Sequence, residues 1–391
     1  MPKLRFSLMS LLLLVATWRF TRGGAWMWAP LAVSSSLVAL VDAFGPDETT
    51  DLSSTAPWAL NLWLFLTLPI LAAMHAALWW MAGTGDALGL GAALLKLGGP
   101  DLTAARLASG PWSWLGALLG VGFLTAAAGT TVGHELVHRT RQSFHLIWGR
   151  WLLALTFDAS FAIEHVYGHH AKVSTFEDPA SARRGERVYG FILRSTLGQL
   201  RSAWRLERER LQRKGLSPWT PRNRFLRGWL FSAVWAGLAF LLGGWRAVGF
   251  FVATGLWGKA ILEIINFIEH YGLIRLPGTR VEPRHSWNSN AWMSSTILYH
   301  LTRHSDHHAE GSKPFWRLRP LPDAPMLPAG YMGMLFVALV PPWYERLMRP
   351  RIAAWDARHA DAAERQLAVE ENHRAGWAAA CIPLPHADAR Q

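Results

Sequence analysis

The sequence has little cysteine and little charge, and both shortages restrict what it can be. Cys381 is its single cysteine, which excludes an internal disulfide, a CxxC zinc site and an iron–sulfur or rubredoxin-type centre built from this chain alone. Only 17% of the 391 residues are charged and 51% are hydrophobic, a balance that argues against disorder and against an ordinary soluble enzyme. A bound metal must therefore use nitrogen or oxygen ligands, and sixteen histidines favour nitrogen.

Tryptophan and long apolar runs are abundant instead. The chain has 23 tryptophans, a residue enriched at both surfaces of a membrane. Five apolar runs approach the ~20 residues that a helix needs to cross ~30 Å of hydrocarbon; they lie near residues 25–44, 57–82, 112–133, 228–243 and 247–266. A shorter run at 6–22 lacks a small-x-small cleavage site, so we expect it to be a sixth span and not a cleaved signal. The sequence predicts an all-α bundle of six transmembrane helices over residues 1–350, with a C-terminal tail over 351–391.

Basic residues give a formal net charge of +12 and are concentrated in the polar segment between residues 133 and 228. By the positive-inside rule, we expect this segment to lie on the cytoplasmic side. We expect the protein to lie in the inner (plasma) membrane of the cell. The charge therefore indicates membrane orientation and not a nucleic-acid surface. Residues 199–215 have the pattern of a helix at the bilayer surface or, equally, of a solvated charged helix.

Histidine occurs in four clusters near the cytoplasmic ends of these spans. Residues three or four apart share one face of a helix, so His134 and His138 can bind the same ion. Adjacent residues diverge by roughly 100°, so neighbours such as His169 and His170 would reach two different ions. The clusters hold nine imidazoles, more than one first-row metal can bind, whereas two ions with four or five ligands each would use them all. The sequence predicts a dinuclear site.

Several kinds of protein could use such clusters. Residues 134–138 match the HExxH pattern of zinc proteases, but a protease would need only one further ligand and would leave most of the other clusters without a role. A metal transporter would carry its histidines in the middle of the spans, whereas these collect at one side. Iron, copper, zinc and nickel all accept imidazole, and an iron pair would in addition activate oxygen. An apolar bundle that opens at a basic face favours lipid or hydrocarbon chemistry.

Five longer segments resemble the signature of the integral-membrane alkane 1-monooxygenases. They are GHELVHR (133–139), EHVYGHH (164–170), NFIEHYGL (266–273), HSWNSN (285–290) and LTRHSDHHA (301–309), and the similarity extends over about residues 41–350. The resemblance implies a six-helix bundle with a cytoplasmic di-iron centre. It implies as ligands His134, His138, His165, His169, His170, His270, His304, His307 and His308.

The resemblance also implies a reaction and its partners. We expect O2-dependent hydroxylation of a terminal methyl group, most simply of a medium-chain alkane, with electrons from a separate rubredoxin or ferredoxin and its reductase. Val137, Arg139 and Phe267 differ from the commonest residues of the family and leave the ligands intact. They keep open a methyl hydroxylase of the xylene or cymene type and, more distantly, a fatty-acid desaturase or hydroxylase. Arg208, Arg210 and Arg213 would steer an acidic electron carrier.

Carboxylates and amides near the boxes are candidates to support the ligands. Glu263, Asn266 and His270 lie at i, i+3 and i+7 on one helical face, so we expect Glu263 to accept a hydrogen bond from the second ring nitrogen of a metal-bound histidine. The alternative is a pair with Lys259, one turn earlier. Four further acids are expected to support histidines of other clusters: Glu135, Glu164, Glu269 and Asp306. The spans at 57–82 and 112–133 are expected to line the substrate slot, with Trp58, Trp63 and Phe65 as possible gates.

Overall fold

The computed structural model describes residues 2–377; Met1 and residues 378–391, including Cys381, lie outside the described residues. Within that part the chain is helical, and β pairing is limited to two isolated bridges. The helices are Ser7–Phe20 (α1), Ala29–Phe44 (α2), Pro57–Ala82 (α3), Leu90–Lys96 (α4), Leu102–Leu107 (α5), Pro111–Leu124 (α6), Thr131–Val137 (α7), Ser143–Leu153 (α8), Phe161–Glu164 (α9), His170–Lys172 (α10), Val188–Gln212 (α11), Arg224–His270 (α12), Trp292–Ile297 (α13), His304–Ala309 (α14), Tyr331–Ala338 (α15), Pro341–Arg358 (α16) and Ala362–Arg374 (α17).

Four helical stretches of the described chain are long and apolar enough to cross a membrane. They are Gly24–Phe44, Pro57–Ala82, Pro111–Val137 and Arg224–His270. The predicted span at 6–22 forms α1, whose 14 residues fall short of the ~20 that a perpendicular crossing needs. α1 nevertheless packs against α2 and α3 and buries Met9, Leu13 and Phe20. The expectation of an all-helical membrane protein is confirmed.

α12 consists of two antiparallel helices joined at Gly243 and Gly244. Gly244 has a φ of 65°, a left-handed value that favours glycine, and Gly243 is also non-helical. A straight helix would place Trp229 and Phe251 about 33 Å apart at ~1.5 Å per residue. Both rings instead pack on Phe157, with centroid separations of 6.4 and 5.0 Å. The chain therefore reverses here, and segments 224–242 and 245–270 contain the two predicted runs.

Two π-helical turns lead into the histidine-rich region. Thr125–Thr130 connects α6 to α7, which carries the first box, and His165–His169 connects α9 to α10 within the second. A π turn shifts the helical register, and such turns are frequent at functional sites. Both turns therefore change which side chains face the interior next to the boxes.

The C-terminal region continues the fold beyond the expected boundary at residue 350. α16 crosses that boundary, and Trp355 on it is 1% exposed. The Arg184 guanidinium donates to both carboxylate oxygens of Asp356, at 2.8 and 2.6 Å, and to the carbonyl of Gly272 at 2.9 Å. The described part of this tail thus contacts the segment that follows the third histidine box.

Candidate metal centre

Nine histidines meet where α7, the second π turn, the end of α12 and α14 converge. They are the nine that the sequence singles out, and in each of two groups one ring nitrogen per residue lies within 4.8 Å of the others. The first group is His134, His138, His165, His170 and His307; the second is His169, His270, His304 and His308.

Local winding explains how the residues divide. The adjacent pair His169 and His170 falls into different groups, as does the pair His307 and His308, because neighbours on a helix point about 100° apart. His165 and His170 share a group although they are five residues apart. The π turn brings positions i and i+5 together, and the two Nε2 atoms are 3.1 Å apart.

The inward-facing nitrogens lack ordinary partners. Nε2 of His134, His138 and His169 is buried without a hydrogen-bond partner in the described chain. In the second group, His304 Nε2 lies 3.2 Å from His270 Nε2 and 3.0 Å from His308 Nε2. An unsatisfied buried polar group costs ~1–3 kcal/mol, so converging nitrogens of this kind are unfavourable without a shared ligand. The all-nitrogen donor set fits a pair of first-row metal ions.

Electrostatics keeps these rings in the form that binds metal. Burial, with a smaller contribution from His169, lowers the pKa of His138 to about 3. Burial and neighbouring imidazoles place further pKa values well below the usual range, namely those of His165, His170, His304, His307 and His308. Neutral imidazole is the metal-binding form, so no proton has to be displaced from these rings at neutral pH.

Asp178 orients His169 and is a residue that the sequence reasoning missed. Its Oδ2 accepts from His169 Nδ1 at 2.8 Å and from Ser181 Oγ at 2.6 Å. Burial alone would lower the pKa of His169, but the charge and hydrogen bond of Asp178, together with the charges of Glu164 and Glu269, raise that pKa. The contact assigns the Nδ1 proton and leaves Nε2 for the second group. The sequence signal was weak, since Asp178 stands in a polar loop eight residues after His170.

Two of the expected supporting acids lie beside histidines. Glu269 Oε2 is 3.3 Å from His304 Nε2, so this carboxylate contacts a histidine of another box at the nitrogen that faces the second group. Glu164 is fully buried near His169 and Asp178. Burial, reinforced by the charge of Asp178, raises the pKa of Glu164 to about 8. No described hydrogen bond joins the Glu164 carboxylate to a histidine.

Two other acids pair with cations instead of histidines. Glu135 Oε1 lies 2.6 Å from the Arg139 guanidinium, one helical turn away. Asp306 accepts from Lys313 Nζ at 2.9 Å and from the backbone N–H of Arg319 at 2.9 Å. The prediction that these two carboxylates support histidines of other boxes is therefore wrong. The local i, i+4 ion pair takes Glu135 away from the metal centre.

Glu263 forms the ion pair with Lys259 that was the alternative to a contact with histidine. Its Oε1 lies 2.6 Å from Lys259 Nζ, and both of its oxygens accept from Gln199 Nε2 at 2.9 Å. Lys259 Nζ also contacts Asp158 Oδ2 at 2.7 Å. None of the described hydrogen bonds of Glu263 goes to a histidine. It also accepts from Asn266 Nδ2 at 3.2 Å, so it balances a buried lysine and orients Asn266.

A largely apolar cavity opens onto the histidines. His134, His165 and His304 face it, and apolar side chains of α1, α2, α6, α12 and α15 form much of the remaining wall, including Met9 and Val38.

The expected lining is correct for the span at 112–133 and wrong for the span at 57–82. α3 contributes nothing to the cavity wall, so none of its predicted gates faces the cavity. Trp58 is 71% exposed. Phe65 packs against Phe144 and Trp148, away from the cavity.

Comparisons with known proteins give three results. A sequence model of the fatty acid desaturase family matches residues 109–338. The chain is 40% identical over 276 residues to alkane 1-monooxygenase 1 of Pseudomonas aeruginosa (67% of this chain, 70% of that protein) and 35% identical over 353 residues to alkane 1-monooxygenase 2 of the same organism (85% and 86%). It is 28% identical over 382 residues, 97% of both chains, to the xylene/toluene monooxygenase hydroxylase component of Pseudomonas putida.

Proposed function

Because the chain belongs to the alkane 1-monooxygenase family, we propose that it hydroxylates the terminal methyl group of a medium-chain alkane to a primary alcohol. The observation that carries this proposal is an apolar cavity that ends at buried imidazoles of both groups. Such a cavity accepts an unfunctionalised chain, since each buried methylene contributes ~0.8 kcal/mol without any polar contact. The substrate would come from the surrounding lipid.

Two iron ions are the cofactor that fits the donor set. The first group would hold one ion through up to five nitrogens and the second group would hold the other through four. When bound, the iron pair would activate O2 so that one oxygen atom enters the C–H bond and the other leaves as water, with two electrons and two protons supplied. The chain itself excludes water from the cavity, and burial favours the neutral form of the imidazoles whose pKa it lowers, such as His138 and His165.

Residues at the histidine end of the cavity can bind the polar product. Asn266 donates through Nδ2 to Glu263, which leaves its side-chain oxygen available to accept from an alcohol. Glu269 also lines the cavity, next to Tyr331. An alcohol hydroxyl would meet partners here, whereas the alkyl chain lies among Leu, Met and Val side chains. The arrangement would fix the position of the reacting carbon next to the histidines and leave the far end of the alkyl chain without polar contacts.

For the membrane arrangement we propose six spans with the histidines on the cytoplasmic side of the inner membrane. The spans would be α1, α2, α3, the continuous helix Pro111–Val137, and segments 224–242 and 245–270. The reversal at Gly243 and Gly244 supports counting α12 twice. The basic region around α11, next to the second box, supports the cytoplasmic assignment through the positive-inside rule.

We propose an acidic rubredoxin or ferredoxin, reduced by its own reductase, as electron donor. α11 packs on the second box, where a Cβ on Gly168 would lie 3.3 Å from Leu206. Arg201, Arg205 and Arg208 are exposed on α11, the helix that makes this contact. They would attract an acidic carrier within reach of the metal centre.

Arg210, which the sequence suggested as a contact for the carrier, is engaged in an ion pair within the protein. Its guanidinium pairs with the fully buried Glu207 at 2.6 Å, and Glu207 also accepts from Arg224 at 2.8 Å. Arg210 therefore stabilises the connection between α11 and α12. Arg208 and Arg213 remain exposed candidates for contact with the carrier.

A second candidate is hydroxylation of the methyl group of an alkyl-aromatic compound. The similarity to the xylene/toluene monooxygenase component covers almost the whole of both chains, although at lower identity. The largely apolar lining of the cavity would also suit an aromatic ring.

The deciding experiment is hydroxylation by the purified, iron-loaded protein with reductase and carrier. Octane and p-xylene are supplied separately, with and without O2. Faster formation of octan-1-ol supports the first proposal and faster formation of 4-methylbenzyl alcohol supports the second. If neither substrate gives an O2-dependent product, both proposals are contradicted.

A further inference from the structure

The segment HSWNSN at residues 285–290 carries no metal ligand in either histidine group, yet it lies between two of the boxes. We propose that this segment is a bracket that sets the distance between His270 and His304 and thereby builds the second metal position. Its positioning residues are Trp287 and Asn288. This inference rests on the proposed di-iron function.

Trp287 holds the chain on both sides of His270. Its backbone N–H donates to the carbonyl of Glu269 at 2.8 Å, and its indole Nε1–H donates to the carbonyl of Tyr271 at 3.0 Å. The side chain is 2% exposed, so water cannot easily replace either bond. These two bonds hold the end of α12 just where the helical ladder stops and its last carbonyls need other donors.

Asn288 holds the residue after His304. Its Oδ1 accepts from the backbone N–H of Ser305 at 2.8 Å, and its Nδ2 donates to Ser305 Oγ at 2.5 Å. Ser305 Oγ donates in turn to the carbonyl of Ser286 at 2.9 Å. Asn288 thus supplies a side-chain acceptor at the start of α14, whose first N–H groups have no partner within the helix.

The bracket bears mainly on one of the two metal positions. His270, His304 and His308, three of the four ligands of the second group, lie on the two elements that it joins. The first group has only His307 on these elements, and its other four ligands lie on the first and second boxes. His270 and His304 share no helix, so their Nε2 separation of 3.2 Å depends on contacts such as these.

The bracket makes a specific prediction for Asn288→Ala. Because groups that orient metal ligands typically change metal affinity ~10–100-fold, the second ion should be lost at an iron concentration that still fills the first position. The purified variant should then hold about one iron per chain and show the paramagnetic resonance signal of an isolated ferric ion. Asn290→Ala is the matched control, since the side chain of Asn290 makes no described hydrogen bond and lies in the same segment.

Ser305→Ala is a milder variant that removes only the hydroxyl contacts. It should keep two irons at saturation and release one of them to a chelator sooner than wild type does. If Asn288→Ala does not fold, as shown by the absence of an unfolding transition, Ser305→Ala is the variant that tests the bracket. The inference would be overturned if the variants retained two irons with the same resistance to chelator as wild type. It would also be overturned if they lost both ions equally. A wild-type protein without an iron pair would instead overturn the proposed function, and the bracket with it.

Discussion

Asp178→Asn is the substitution that best tests how the second metal position is held. The Asp178 side chain is fully buried, and three donors converge on it: His169 Nδ1 and Ser181 Oγ on Oδ2, and the backbone N–H of Ala180 on Oδ1 at 3.1 Å. An asparagine offers one acceptor oxygen and one NH2 group. At least one of the donors would therefore face another donor.

The loss can be estimated from the hydrogen bond to His169. A buried hydrogen bond to a charged group contributes ~1.5–3 kcal/mol. At ~1.4 kcal/mol per factor of ten, the affinity of the second position for iron should fall about 10- to 150-fold. The pKa of His169 should also fall, because Asp178 makes the largest of the contributions that raise it against the effect of burial.

The assay is iron retained per chain during a graded chelator challenge, followed by octane hydroxylation of the same samples. Asp178→Asn should release one iron early and lose turnover in proportion. Glu177→Gln is the control, because its carboxylate is 57% exposed and its described ion pair is with Lys172 at the surface. Iron retention and turnover of Asp178→Asn within twofold of wild type would refute the role assigned to Asp178.

Three further outcomes are expected. Ser34→Trp places a large side chain in the cavity and should shift the preference toward shorter alkanes, with kcat/KM falling about fourfold for each methylene displaced at ~0.8 kcal/mol. The control Ser36→Trp, on the lipid-facing side of the same helix, should leave the preference unchanged. Equal chain-length profiles for the two variants would contradict the cavity assignment. Arg201→Glu with Arg208→Glu should slow carrier-driven turnover at low salt by about tenfold or more, and leave turnover with a chemical reductant unchanged; a rate indifferent to these charges and to salt would remove the docking face. Lys259→Met should lower stability by ~3–5 kcal/mol, because Asp158 and Glu263 would stay buried without their cation; a melting temperature equal to that of wild type would show that the pair is dispensable.

Helical periodicity explains why the histidine site could be predicted in such detail. The split of His169 from His170, and of His307 from His308, follows from the angle between neighbours on a helix. The pattern is local, so one sequence is enough to read it. The break at Gly243 and Gly244 was equally readable as the gap between two apolar runs.

Other features depend on contacts between distant segments. Asp178 meets His169 through the fold of a loop, and no spacing rule marks it. An apolar run shows that a helix lies in lipid or in a protein core. It does not show which neighbouring helix or cavity that helix faces. For that reason α3 was expected to line the cavity, whereas α1 does so through Met9 and Leu12. Glu135 was misassigned although Arg139, four residues later, was visible as its partner.

The proposed function requires that nine imidazoles bind two iron ions at the end of an apolar cavity. X-ray absorption at the iron edge, combined with metal analysis of the purified protein, tests it most directly. We expect two irons per chain, a first coordination shell of nitrogen and oxygen without sulfur, and a second iron as a neighbour of each. A single iron, zinc in place of iron, or two irons with no iron neighbour would contradict it.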